Sequence, residues 1–268
     1  MKDGMLRFLL ALQFLTTIPV HIPGRVTNQM LGESMAYFPL VGALLGGILI
    51  LAHFILTSFL PANIVCAFLI LVLILLTGAL HLDGLADTLD GLFSRKPQEE
   101  MLKIMKDSRL GTMGTLGLIV LLLMKYQLLY TLSTAETPFF EGNRPPGWGI
   151  PWIRPLHAAL ILMLMLSRWG MVMAAGLSNY ARSDGGVGKP YAEHTGIREL
   201  AIASLTTLLG ALLFRGLKGL LIFVIVAILG LLFLWYVLKR LGGMTGDTYG
   251  ALGEVLEVLT LLSYVALK

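Results

Sequence analysis

Long apolar runs alternate with short polar connections along this chain, and the lengths of the runs predict its elements. Stretches of roughly 17 or more mostly apolar residues can cross a bilayer as helices. They fall near 36–60, 62–80, 110–132, 156–178, 199–214, 219–238 and 250–267, the fifth being the shortest. The opening run FLLALQFLTTIPV lacks the basic flank and small-residue cleavage site of a signal peptide, and reads as an interfacial or re-entrant helix. In SRKPQEEMLKIMKDS, Ser94 and Pro97 are start signals and Glu99 stands four residues before Lys103, which predicts a short amphipathic surface helix. Its Met101, Leu102, Ile104 and Met105 read as packing residues. The pattern therefore predicts an all-α, polytopic integral membrane bundle of about seven transmembrane helices with N-terminal and cytoplasmic interfacial helices. No polar segment is long enough to bury a core of its own, so 1–268 reads as one membrane-embedded domain.

Composition strengthens this picture. Of 268 residues, 56% are hydrophobic and 13% charged, against roughly 25% charged in soluble domains. The net charge of +4 matters less than its distribution. Lys2, Arg7, Arg25, Arg95, Lys96, Lys103, Lys106, Arg109, Arg182, Lys189, Arg198, Lys239 and Arg240 fall on one side of a seven-span topology. Only Arg144, Arg154, Arg215, Lys218 and Lys268 fall on the other. The positive-inside rule puts the first set, and the N-terminus, in the cytoplasm of a cell-membrane protein. Orientation accounts for these charges without nucleic acid. Trp148 and Trp152, in the long external loop, read as interfacial anchors. Cys66 is the only cysteine, which excludes an intramolecular disulfide and a cysteine-based zinc site.

Four stretches carry chemistry. In HLDGLADTLDGLFS, residues 81–94, Asp83, Asp87 and Asp90 fall at i, i+4 and i+7, so their carboxylates share one helix face at a membrane boundary. Three like charges in one stripe repel, and a hard divalent cation, Mg²⁺ or Mn²⁺, would compensate them. MKDSRLGTMG adds Asp107, Ser108 and Arg109, an arginine able to fork onto a phosphate or to anchor a span end. YARSDGGVGKPYAEHTG holds Arg182 and Lys189 in a Gly-rich loop, a candidate phosphate cradle that lacks the Walker A pattern. In GGMTGDTYGALGEVLE, Asp247 opens the last span, and Glu254 and Glu257 follow on nearly the same face. Those glutamates either face a polar cavity or pair with Arg168 or Lys125. The topology opens all four stretches on one membrane face, and carboxylates with Mg²⁺ beside cations are the parts of a phosphoryl-transfer site.

These stretches, with FLTTIPV and ESMAYFPLVGALLG, resemble cobalamin synthase, also called adenosylcobinamide-GDP ribazoletransferase, over nearly the whole chain. The resemblance implies the joining step of vitamin B12 assembly. The 5′ oxygen of α-ribazole, or of its phosphate, attacks the phosphorus on the cobinamide arm of adenosylcobinamide-GDP and expels GMP, with Mg²⁺ required. It implies Asp83, Asp87, Asp90 and Asp107 as metal ligands, with Asp87 and Asp90 also catalytic. Arg109, Ser108, Arg182, Lys189, Asp247, Glu33, His81 and Glu254 are the candidate substrate-binding residues. The bilayer, other corrinoid-assembly enzymes and a second copy of the chain are the candidate partners. Two other readings compete. A CDP-alcohol phosphotransferase shares the Asp-Gly-x-x-Ala opening of DGLAD but has Arg where Asp87 stands. An ion-coupled transporter would use Glu254 and Glu257, yet its acids would cluster at the midplane between repeats, and no inverted repeat is visible.

Overall fold

The computed structural model describes residues 2–135, 154–182 and 185–267. The external-loop readings at Arg144, Trp148 and Trp152 lie outside these residues. Every regular element among them is helical: α1 (Lys2–Leu15), α2 (Asn28–Ser34), a 3₁₀ turn (Met35–Tyr37), α3 (Phe38–Leu56), α4 (Ala62–Thr77), α5 (Leu80–Phe93), α6 (Gln98–Ile104), α7 (Thr112–Thr134), α8 (Pro155–Leu177), α9 (Lys189–Glu193), α10 (Ile197–Leu241) and α11 (Gly246–Ala266). The protein is a multi-pass membrane bundle.

By length and hydropathy five helices can cross a membrane, or six when the bent pair α4 and α5 is one span. The 45-residue α10 resolves the remaining difference from the sequence pattern. At Gly216 its backbone leaves the helix, with φ 62° and ψ −143°. The Ser204 hydroxyl accepts from the Trp169 indole at 2.9 Å, while the Phe223 ring lies tilted against the same tryptophan with centroids 4.6 Å apart. Two residues nineteen positions apart meet one side chain only if the helix folds back at Gly216, so α10 is a hairpin of two spans. Gly216→Ala is expected to cost about 1–2 kcal/mol, because a Cβ disfavours positive φ. Gly47→Ala, where a Cβ meets nothing within 4 Å, is expected to be neutral or stabilising. Melting temperatures of the two variants in detergent check the contrast.

The core is organised around α8. Every residue from Leu156 to Ala175 is buried, Arg168 among them, as expected of a mostly apolar helix enclosed on all sides. Helices α3, α10 and α11 pack on it. The 14-residue α1 is too short to span, at about 1.5 Å per residue, and packs on α2 and α3 instead. The surface helix is α6, capped by Pro97, with Met101 and Met105 buried. Two details differ from the sequence reading. Ser94 closes α5 through its hydroxyl on the Gly91 carbonyl at 2.6 Å, and the i,i+4 pair is Lys96 with Glu100 at 3.7 Å.

The second span stops earlier than its hydropathy suggests. Gly78 and Ala79 are both left-handed, at φ 60° and 57°, and turn the chain by 90° from α4 into α5. That bend strands carbonyls at the end of α4. Thr17 satisfies them, its backbone N–H donating to Leu76 at 2.7 Å and its hydroxyl to Leu75 at 2.9 Å. The FLTTIPV motif thus holds the broken end of the span that aims the aspartate helix.

Candidate active site

The site forms where α5 crosses α11. Gly84 lies against Asp247, with an added Cβ only 2.7 Å from the Asp247 carbonyl, and Gly250 lies against His81 in the same way at 3.1 Å from its Cα. Small residues at both contacts let the two helices approach closely, so acids far apart in sequence converge. Asp87 is repelled by the charges of Asp83, Asp247 and Asp90 and attracted by that of Arg182.

Arg182 reaches this cluster through the Gly-rich segment. The chain pairs Tyr180 with Met244 in one parallel bridge, closed by Ala181 N–H on the Met244 carbonyl at 2.7 Å and Met244 N–H on Asn179 at 2.9 Å. Two residues on, Arg182 donates to Asp247 Oδ2 at 2.6 Å. Thr245 caps α11 in reciprocal hydrogen bonds with Thr248, which fixes Asp247 in the first turn.

A cavity of about 320 Å³ opens beside these groups. Its polar side includes Asp83, Arg182, Asp247 and His81, Gly186 and Gly188 of the Gly-rich loop also line it, and the rest of the lining includes Phe14, Phe38, Tyr191, Met35 and Met171, with Tyr180 and Tyr249. The structure brings Asp83, His81, Arg182 and Asp247 together here. Asp87 lies half-buried one turn beyond Asp83.

Other candidates sit elsewhere. Both Asp90 oxygens accept backbone N–H groups at the start of α7, from Gly111 at 2.7 Å and Gly114 at 2.9 Å. It caps that helix, and Asp90→Ala is expected to cost about 1–2 kcal/mol, measurable as a lower melting temperature. Asp107, assigned above to metal, is held by Arg109, whose Nε bonds it at 3.0 Å while the arginine side chain is 87% exposed. This pairing holds the Asp107 carboxyl down at about 2. Its stabilising contribution is present above the ordinary aspartate range and is lost only as pH falls toward that value. Ser108 is exposed beside it. Lys189 opens α9 and pairs with Glu193 at 3.8 Å, outside the cavity lining. Glu33 binds Arg7 at 2.6 Å and Gln29 at 3.1 Å, also away from it.

Of the two sequence readings of Glu254, the structure shows the pairing with a buried cation. Glu254 is buried and accepts from Lys125 Nζ at 2.7 Å, and Glu257 accepts from the same nitrogen at 2.7 Å and from Arg168. Arg168 Nη2 lies 3.5 Å from His81 Nδ1, so His81 joins this closed ionic cluster to the cavity. The partners of both glutamates are structural, which removes the feature that favoured a transporter.

Sequence reasoning assigned no role to the aromatic wall. Phe14 lies in FLTTIPV, Phe38 in ESMAYFPLVGALLG and Tyr191 in the Gly-rich segment. Each was visible only as part of a longer motif, because an aromatic residue in an apolar run carries no periodic or electrostatic signal that separates ligand contact from packing.

Among the described residues no group of three or more His, Cys, Asp or Glu side chains is arranged to hold a metal by itself. The donor set, two carboxylates one helical turn apart with a third close by, fits a cation shared with a ligand better than one caged by protein.

Fold and site together define a polytopic membrane protein with a cavity among its helix ends, lined in part by two carboxylates and an arginine. The chain belongs to the cobalamin-5-phosphate synthase (CobS) family, whose model matches residues 7–265. It is 37% identical over 216 residues to the adenosylcobinamide-GDP ribazoletransferase of Acetivibrio thermocellus, covering 81% of this chain and 79% of that one. The enzyme of the same name from Geotalea daltonii is 37% identical over 217 residues, with 81% and 79% covered. That of Caldanaerobacter subterraneus is 35% identical over 218 residues, with 81% and 80% covered. No solved structure matches the chain.

Proposed function

We propose that the protein joins adenosylcobinamide-GDP to α-ribazole, or to its 5′-phosphate, at the cytoplasmic face of the cell membrane, releasing GMP. The observation that carries this reading is the convergence of Asp83, Asp247 and Arg182 in one cavity, in a chain whose relatives bear the name of that transferase.

In this reaction a ribose hydroxyl oxygen of the acceptor, one that stays free when the 5′ oxygen carries phosphate, forms a bond to the phosphorus on the cobinamide arm. The bond from that phosphorus to the bridging oxygen breaks, and GMP leaves with the electron pair. Asp83 and Asp247 are the carboxylates lining the cavity, and the hydroxyl proton passes to one of them. Arg182, tied to Asp247, offers positive charge to the phosphoryl oxygens. Asp83 and Asp87 would hold Mg²⁺ or Mn²⁺ together with the diphosphate, and the cation supplies charge neutralisation to the transferring group.

Beyond the cavity, α5 leads toward a cation. From Asp83 to Asp90 the helix rises about 10 Å, and Asp90 binds the Gly111 N–H two residues after Arg109. The stripe therefore leads from the cavity toward an exposed guanidinium. Arg109→Ala is expected to raise KM for adenosylcobinamide-GDP about tenfold, with KM for α-ribazole unchanged.

Release of GMP by the detergent-purified protein tests the reading. Release that needs both substrates, stops on chelation of divalent cations and resumes with Mg²⁺ supports it. No release under any of these conditions, from folded protein, refutes it.

A further inference from the structure

The cavity has a size and a polarity that choose between the two substrates. At about 320 Å³ it stands at the small end of ligand pockets. It can hold one nucleoside, and it cannot hold a corrin macrocycle with a guanosine diphosphate attached. Two small candidates remain: the acceptor nucleoside and the guanosine end of the donor.

The aromatic wall separates them. The rings of Phe14 and Tyr191 lie 4.2 Å apart, and Phe38 lies 5.9 Å from the first and 6.3 Å from the second. Phe38 and Tyr191 are buried, and Phe14 is partly so. Burial also pushes the Tyr191 phenol up to about 12, so this wall is uncharged at neutral pH. Guanine presents an amide N–H, an amino group and a carbonyl, and the rings of Phe14 and Phe38 offer these no partner, which makes burial against them unfavourable. The methylated benzimidazole of α-ribazole has no N–H once it carries its ribose, and suits a ring-lined apolar surface.

The polar wall completes the match. Arg182 Nε is buried with no hydrogen-bond partner among the described residues, and it stands beside Asp247 in the cavity lining. The guanidinium carries further N–H groups besides the one given to Asp247, and a ribose oxygen can accept from those on the cavity side.

We propose that this cavity is the α-ribazole site, with the base among Phe14, Phe38 and Tyr191 and the ribose directed toward Asp83, Arg182 and Asp247. The donor then reacts from outside, presenting only its phosphorus to the cavity along the α5 stripe. This assignment rests on the reaction proposed above and adds to it which substrate occupies which space.

The test combines direct binding with kinetics on the full-length protein in detergent. Binding of α-ribazole is followed by its benzimidazole fluorescence, and GMP release gives KM for each substrate. Phe14→Leu removes a ring while keeping apolar bulk, and Ala192→Leu fills the cavity from a buried lining position. Each is expected to raise Kd and KM for α-ribazole at least tenfold and to leave KM for adenosylcobinamide-GDP within about twofold. Unchanged α-ribazole constants in both variants, or displacement of α-ribazole from the wild-type protein by GMP, would overturn the assignment. Wild-type protein that binds α-ribazole in a Phe14-dependent way yet releases no GMP would keep the site and remove the reaction. GMP release with normal α-ribazole constants in both variants would do the reverse.

Discussion

Asp83→Asn is expected to lower ribazole-dependent GMP release by about two to three orders of magnitude, the loss typical when one preorganised charge is removed from a reacting centre. The same change is expected to leave folding intact. Asp83 is an exposed residue on the cavity wall, and its carboxylate accepts no hydrogen bond from the described residues. Asparagine keeps its shape and relieves its repulsion of Asp87 and Asp247. A melting temperature equal to or above that of the wild type, together with lost turnover, would identify a residue retained for chemistry at the expense of stability. Turnover above a tenth of wild type would remove Asp83 from the reaction. Asp87→Asn is expected to show a similar loss with a raised Mg²⁺ requirement.

Glu257→Gln is expected to act in the opposite sense, on stability. Glu257 is fully buried and balances both Lys125 and Arg168. Its neutralisation leaves two buried cations facing Glu254 alone. Breaking a buried pair in this way costs about 3–5 kcal/mol, since the remaining charge is uncompensated. The melting temperature in detergent should fall sharply. Adding Lys125→Met restores the charge balance, with Arg168 against Glu254, and should recover at least half of the loss. A double variant as unstable as the sum of the singles would show that charge balance is not what the cluster provides.

The spans and their order were readable because apolar run length alone sets them, and even the short fifth span appears as the first arm of the Gly216 hairpin. The end of the second span was not. Run length gives no warning that Gly78 and Ala79 will turn left-handed, and the alanine pays for a conformation that its neighbours impose. In the site, Asp83, Asp247 and Arg182 were legible as charged residues in an oily chain, and the structure places them in one cavity. Glu254 carried the same signal and is satisfied elsewhere, by Lys125. A lone charge at a membrane boundary announces that it needs a partner. Whether the partner is a ligand or another side chain depends on which helices touch, and spacing along one helix does not contain that information.

The ionic cluster also has a chronology. Lys125 and Arg168 stand in α7 and α8, whereas both of their glutamates stand in α11, which is made after them. During synthesis two cations enter the bilayer with no counter-charge, and each such residue at a helix centre adds about 2.5–3.5 kcal/mol to insertion. Biogenesis therefore passes through a waiting stage in which α8, the hub of the finished bundle, is present but cannot close. Arrival of α11 ends that stage, and the same helix brings Asp247 to the aspartate stripe. Assembly and assembly's product are thus coupled at one point: no nascent chain acquires the acid-lined cavity before the charges in its middle have been neutralised.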